Sequence, residues 1–194
     1  MNRYTLVLFA AALLALAALP LGAQNKPAFI DDFLGQVEYV QGQIMSLEGA
    51  VPAEKYSWKP GEGVRSIAEV YRHIEFGNYA LLSLMGVQPP ADVNFTMDIK
   101  KWDAGVTDKS KLASGLKASF DHLKTAAGKM TEADLAGKID FFGTQMTKRS
   151  ALMSALSHLH EHLGQSIAYA RMNGIVPPWT TEQQAKEAEA LKGK

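Results

Sequence analysis

Four stretches of the chain place apolar residues three and four positions apart, which is the spacing of an amphipathic helix. Between them the apolar residues follow no sustained period, and no alternating pattern is strong enough to build a sheet. The spacing therefore predicts an all-α protein with four main helices. These helices are expected at about residues 28–50, 66–85, 107–130 and 147–172.

Local signals support the ends of two of these helices. Ser66 stands three residues before Glu69, the arrangement of a capping box, in which each side chain accepts a hydrogen bond from the other's backbone N–H. Asn173 and Gly174 form a helix stop, and two prolines follow at 177 and 178. The second helix is thus expected to begin at Ser66 and the fourth to end near Asn173.

The connections differ in length. Residues 87–107 are long for a link between neighbouring helices, and such a length suits a crossover from one end of a four-helix bundle to the other. Residues 131–145 are expected to form a connector with an extended stretch at 139–143. Residues 180–194 are charged and rich in alanine, and two alternatives stay open there, a marginal helix or a frayed tail.

The N-terminus has the pattern of a secretory signal peptide. A basic Arg3 precedes an apolar run at residues 6–19, and small residues lead to a cleavage point after Ala23. Export to the periplasm or the medium is therefore expected, without a stable membrane span after cleavage; an uncleaved anchor is the weaker alternative. Residues 1–23 would be the signal peptide, 24–179 the helical domain and 180–194 the charged tail.

Composition excludes several functions. The chain has no cysteine, so it has no disulfide, no thiolate site and no lipid attached to cysteine. Loss of Arg3 with the signal peptide leaves 19 basic and 20 acidic residues, a formal charge of −1, which does not attract nucleic acid. About 170 residues can build a core without a metal. A bound ion would then serve a function or add modest stability.

Histidines supply the candidate chemistry. His158 and His162 lie four residues apart and share one face of the fourth helix, among small neighbours, whereas His160 points away and is expected at the surface. His73 stands in a similar setting on the second helix. His122 is expected to be a solvated surface residue. Many histidine pairs at this spacing bind nothing, so separate structural histidines remain the alternative to a metal site.

The residues around these histidines resemble two signatures of the DinB-like family. His162-Leu163-Gly164-Gln165, with His158 before it and Arg171 and the Gly174-to-Pro178 ending after it, looks like the C-terminal signature. Trp58-Lys59-Pro60, followed by the capping box and by His73-Ile74, is similar to the N-terminal signature. The resemblance covers about residues 28–179.

This resemblance implies a four-helix bundle of up-up-down-down type that holds a divalent metal, often zinc or nickel, on three histidines. By position these are His73, His158 and His162. Three neutral imidazoles leave at least one coordination position for water. A metal held in this way can lower the pKa of that water toward ~7 or polarise a substrate oxygen or sulfur.

Three further residues on the ligand faces have alternative roles. Glu69 either orients the imidazole of His73 or only completes the capping box. Gln165 either forms a hydrogen bond near the metal or satisfies a helix neighbour, and Tyr169 either contacts a ligand or packs in the core. Glu75 and Glu161 stand near the histidines in sequence but project away from them, so neither is a natural general base.

Three functions remain open from the sequence. The protein is a metal-dependent hydrolase or transferase acting on a small molecule, or a non-catalytic protein that binds metal or a small molecule. A structural role is the third, with a bundle that forms a homodimer. Export argues against a transferase that depends on a thiol, because low-molecular-weight thiols are chiefly cytosolic.

Overall fold

The computed structural model describes residues 26–103 and 108–192, so the predicted signal peptide lies outside the described residues. The described chain is mostly helical, with one small β-hairpin. Short 3-10 turns lie at Ala53–Lys55 and Ala91–Val93. The other elements are α1 (Ala28–Ala50), α2 (Ile67–Leu84), α3 (Ile99–Asp103), α4 (Lys109–Ala127), α5 (Glu132–Ala136), β1 (Lys138–Phe141), β2 (Thr144–Thr147), α6 (Lys148–Met172) and α7 (Pro178–Lys192).

Four long helices share one apolar core. Helices α1 and α2 each lie against both α4 and α6. Their apolar stripes meet between them, because residues three and four apart fall on one helical face. The predicted helices at these four places are confirmed, with ends within a few residues of those expected. Fully buried side chains from each helix include Val37, Ile44, Tyr71, Ile74, Leu116, Phe120, Leu152 and Leu159.

The predicted helix ends are present. The Ser66 hydroxyl accepts a hydrogen bond from the Glu69 backbone N–H at 3.3 Å, and the Glu69 carboxylate accepts one from the Ser66 N–H at 2.6 Å. At the end of α6, Gly174 has a left-handed φ of 73°, and the Ile175 N–H reaches the Ala170 carbonyl at 2.9 Å. These caps fix where α2 and α6 begin and end, and hence where their histidines lie.

The connector before α6 contains part of the predicted extended stretch as strand β1, and it differs from the prediction in also containing helix α5 and the second strand of a hairpin. Strands β1 and β2 pair antiparallel, with Ile139 opposite Met146 and Phe141 opposite Thr144. Phe142 and Gly143 close the turn with φ values of 51° and 86°, as in a two-residue hairpin turn. The hairpin leads directly into α6.

The long connection between α2 and α4 is anchored to α2. Trp102 of α3 is buried, and the Arg72 guanidinium lies 3.6 Å from the centre of its ring. The Arg72 side chain donates to the Trp102 carbonyl at 3.1 Å, and the indole N–H of Trp102 donates to the Arg72 carbonyl at 3.2 Å. This segment therefore packs on the helix that carries His73.

The C-terminal segment is helical, which is the first of the two alternatives considered for it. Helix α7 begins at Pro178, inside the predicted domain, and it contacts α1. Among the helices that the structure describes, none combines the length and the apolar character needed to cross a membrane.

Candidate metal centre

Three histidine rings from two helices meet at one point. The Nε2 atoms of His73 and His158 are 3.2 Å apart, and the ring centre of His162 lies 4.7 Å and 4.4 Å from those of His73 and His158. Each ring offers a nitrogen within 4.8 Å of the others. His162 is buried and the other two are half-buried. The three residues can thus hold a metal ion.

The spacing and protonation of the rings fit a first-row metal. Zinc binds imidazole nitrogen at ~2.0–2.1 Å, so two nitrogens of a tetrahedral site are about 3.3 Å apart. The observed 3.2 Å agrees with this spacing. Burial lowers the pKa of His73 to about 3 and of His158 to about 4, and it also lowers the pKa of His162. The rings are therefore neutral at pH 7, as a metal ligand must be.

Gln165 fixes the orientation of His162. The Nδ1 atom of His162 lies 2.8 Å from Oε1 of Gln165, and Nε2 of Gln165 donates to the Tyr169 hydroxyl at 2.9 Å. Since a carbonyl oxygen only accepts hydrogen bonds, Nδ1 of His162 carries the proton. The lone pair on Nε2 is then free for a metal. A partner of this kind commonly sets the tautomer of a metal-binding histidine.

Residues from the two family signatures pack against each other next to Gln165. Tyr169 is buried, and its ring packs edge-on against Trp58 at a centre distance of 5.5 Å. The Trp58 carbonyl accepts a hydrogen bond from the Ile67 N–H at 3.0 Å, which ties the loop to the start of α2. Tyr169 therefore both packs in the core and supports Gln165.

Gly77 makes room for His158. A Cβ atom placed on Gly77 would lie 2.4 Å from Cε1 and 2.9 Å from Nδ1 of that ring. Any larger residue would push the imidazole out of its place. The sequence shows Gly77 only as a small neighbour of His73, because the close approach comes from the packing of α2 against α6.

The carboxylates near the histidines in sequence are engaged or exposed. The Glu69 carboxylate accepts the Ser66 N–H of the capping box. Glu75 is buried and accepts a hydrogen bond from Arg72, while Glu161 is exposed, as is the predicted surface residue His160. The only group of three or more potential metal ligands within the described ranges is the histidine trio.

His122 is not the solvated residue that the sequence predicted. It is half-buried, its ring lies 5.6 Å from that of Tyr79, and its Nε2 is buried without a hydrogen-bond partner. Burial lowers its pKa. The polar neighbours Asp121 and Lys124 suggested exposure, but the covering side chain comes from α2, more than forty positions earlier in the chain.

One cavity borders the trio and another borders Gln165. The first has a volume of about 220 Å³ and is lined by His73, His158 and mainly apolar residues of α2, α6 and the hairpin. The second has a volume of about 520 Å³ and is mainly polar; it includes Gln165, the partner of His162. Its other lining residues are Lys59, Gly63, Val64, Arg65, Glu69 and Asp103.

A comparison with protein families matches most of the chain. Residues 36–166 match the model of the DinB superfamily, which is more than half of the chain. The chain belongs to the DinB superfamily. The match includes all three histidines and Gln165, so the DinB-like resemblance of the sequence is confirmed. No curated protein matches the chain.

Solved structures share the fold of this DinB-superfamily chain. A DinB-like protein from Bacillus cereus is 25% identical, with a TM-score of 0.61, and the match covers 76% of this chain and 95% of that one. A DinB-like protein from Bacillus subtilis is 22% identical, with a TM-score of 0.57 and coverage of 74% and 92%. A conserved protein from Enterococcus faecalis is 15% identical, with a TM-score of 0.61 and coverage of 73% and 94%.

Proposed function

We propose that this DinB-superfamily protein binds a divalent metal ion, zinc or nickel, on His73, His158 and His162, and keeps one coordination position open. The observation that carries the proposal is the convergence of three neutral ring nitrogens within 4.8 Å. Three protein ligands are typical of zinc sites that leave the fourth position to a water or a substrate. Such an ion supplies Lewis acidity, which activates water or polarises a substrate oxygen or sulfur.

The open position is proposed to serve a small molecule. The apolar cavity borders His73 and His158, so a molecule bound there lies next to the imidazoles. Gln165 holds His162 in one tautomer, and Gly77 lets the ring of His158 enter the group. We infer a metal-dependent hydrolase or group transferase, with hydrolysis favoured over thiol transfer if the protein is exported.

A non-catalytic binding role is the alternative, and one observation favours it. The nearby carboxylates of Glu69 and Glu75 form hydrogen bonds with Ser66 and Arg72 and not with the imidazoles, so these bonds do not place a general base at the trio. Turnover that is lost on chelation and restored by a single metal would favour the enzyme. Tight ligand binding without turnover would favour the binding protein.

The proposal includes export and a bundle topology. Cleavage after Ala23 would release a domain whose four long helices follow the up-up-down-down order, with the segment around α3 as the crossover. A homodimer is compatible with this domain. Mass spectrometry of the exported protein tests the cleavage, with an N-terminus at Gln24 expected.

Elemental analysis tests the metal site. Purified protein should contain close to one equivalent of zinc or nickel, and His158→Ala should lose most of it. His160→Ala is the matched control, because this exposed histidine lies two residues away on the same helix and should leave the metal content unchanged. Equal metal in the parent and in His158→Ala would remove His158 from the site.

A further inference from the structure

The cavity that borders His73 and His158 has no charged side chain in its lining. None of its lining residues is Lys, Arg, Asp or Glu. Two polar residues line it, but the Asn78 amide donates to Ser119 at 3.0 Å and the Ser154 hydroxyl donates to the Ser150 carbonyl at 3.2 Å. Two imidazoles, those of His73 and His158, also line the cavity. The other lining residues are apolar or glycine: Phe76, Gly77, Ala80, Leu81, Phe141, Phe142 and Ala155.

The size of the cavity limits what it can hold. Its volume is about 220 Å³. An apolar cavity of ~150 Å³ can hold one benzene molecule. The space next to His73 and His158 therefore accommodates one ring or a similar apolar group with a few further atoms.

Phe142 lies at the tip of the hairpin, where its ring packs edge-on against Phe141 of β1 at a centre distance of 5.0 Å. Its side chain is 68% exposed, and its φ of 51° is left-handed, a conformation that is unfavourable for a residue with a Cβ. Asn, Asp and Gly are the usual residues at this position of a two-residue hairpin turn. A strained backbone that presents an exposed aromatic ring to a cavity is typical of a binding site.

We propose that this cavity binds the uncharged, single-ring or similarly sized apolar part of the ligand, with Phe142 as its outer wall, and that an oxygen or sulfur of the same ligand points to the metal. The inference rests on the proposed function and names its ligand class. Phe142 is then a specificity-determining residue, since its ring contacts the apolar part and not the metal-binding group.

Two hydroxamates separate the apolar part from the metal-binding group. Benzohydroxamate and acetohydroxamate carry the same chelating head, but only the first carries a ring. On zinc-loaded protein, we expect calorimetry to show that benzohydroxamate binds at least tenfold more tightly, because its ring is buried in the cavity. Zinc is measured after each titration to show that neither compound strips it. Equal affinities would overturn the inference.

Phe142→Asn tests the outer wall without breaking the turn, because asparagine tolerates the left-handed conformation. Benzohydroxamate affinity should fall by about tenfold, with acetohydroxamate unchanged, as expected for the loss of an aromatic contact. The variant should also unfold at the same or a higher urea concentration. Tyr39→Asn, which removes another exposed aromatic side chain away from the cavity, should change neither affinity.

A second variant fills the cavity. Ala155→Leu places a larger side chain in it and should reduce benzohydroxamate binding by more than tenfold while acetohydroxamate binding persists. If Phe142→Asn changes the oligomeric state and leaves benzohydroxamate binding intact, the hairpin tip is an interface between copies of the chain and the inference is wrong.

Failure of the metal proposal is distinguishable from failure of this one. Protein that takes up neither zinc nor nickel overturns the proposed function alone, and the cavity is then tested on metal-free protein with benzyl alcohol. Saturable binding that Ala155→Leu abolishes would support the apolar site. No saturable binding, or binding that Ala155→Leu leaves intact, would overturn it.

Discussion

Glu75 and His73 are two polar side chains of helix α2, and they differ in how their polar atoms are satisfied. Glu75 is 3% exposed and pairs with Arg72 at 2.5 Å, and Arg72 also bonds to and stacks on Trp102. His73 contributes instead to the trio, where its Nε2 faces His158 and its buried Nδ1 has no hydrogen-bond partner. The Glu75 carboxylate thus has a charged partner within the protein, whereas one ring nitrogen of His73 has no hydrogen-bond partner.

This difference distinguishes a structural cluster from a candidate binding site. Buried polar groups in folded proteins nearly always have partners, so a group left short of them needs a reason. In the Arg72 cluster, a hydrogen bond from Trp102 joins α3 to α2, and the charges of Arg72 and Glu75 are paired. The trio gathers neutral bases around one point, where a cation would satisfy them. The first cluster therefore contributes to stability, and the second is the one on which metal binding is proposed.

The largest effect on stability is expected from Glu75→Ala. Removing the carboxylate leaves the partly buried Arg72 without its partner, which typically costs about 3 kcal/mol of unfolding free energy. Urea unfolding measures the loss, and the metal content of the folded protein should not change. Asp121→Ala removes the ion pair with Lys117, which is largely exposed, and should cost less than about 1 kcal/mol. Loss of metal from folded Glu75→Ala would show that the two clusters are not independent.

Gly77→Ala should have the next largest effect, and its effect is on the metal. The new methyl group displaces the His158 ring, and we expect metal affinity to fall by about 10–100-fold, as when a metal ligand loses its support. A competition titration with a chelator measures it. Gly164→Ala is the control, because its Cβ would meet nothing within 4 Å; it should stabilise α6 by roughly 0.5–1 kcal/mol and keep the metal affinity. Unchanged affinity in Gly77→Ala would mean that His158 is not a ligand.

Gln165→Leu should weaken metal binding less. The variant keeps the approximate size of the side chain but removes the acceptor for Nδ1 of His162, so the ring is free to change tautomer. We expect about tenfold lower metal affinity, at the low end of the range for such partners. The same chelator competition measures it. A wild-type affinity would show that Gln165 only satisfies a helix neighbour.

The smallest effect is expected on mild acidification of the metal-free protein. The folded pKa values of His73 and His158 lie below the ~6.5 of an unfolded histidine, so the unfolded chain takes up protons first. The contribution of the neutral imidazoles to the free energy of unfolding is thus present above pH 6.5. It decreases as the pH falls, slightly at pH 6 and more toward pH 4. Burial raises the pKa of Glu75, which acts in the opposite direction. Urea unfolding should show a shallower pH slope in His158→Asn; identical slopes would contradict buried neutral rings.

Much of the fold was predictable because helical spacing and caps are local signals. The four long helices, the capping box at Ser66 and the stop at Gly174 all follow from residues within a few positions of one another. The convergence of His73 with the α6 pair was suggested by family resemblance. Spacing alone could not supply it, since it depends on how α2 packs against α6.

Features that depend on contacts between distant segments were missed, and the hairpin was predicted only in part, as an extended stretch at 139–143. Each hairpin strand has four residues, too few to show a clear alternation, and Phe142 is not a usual residue for its turn. The burial of His122 depends on Tyr79, and the need for glycine at position 77 depends on His158. None of these contacts leaves a local pattern in the sequence.

X-ray absorption at the edge of the bound metal tests the central claim most directly, because it counts imidazole ligands. We predict three imidazole nitrogens at ~2.0–2.1 Å and at least one further light atom that exchanges with added ligand. His73→Ala should show two imidazoles or lose the ion. A spectrum with fewer than three imidazoles in the parent protein, or one unchanged in His73→Ala, would contradict a site shared between α2 and α6.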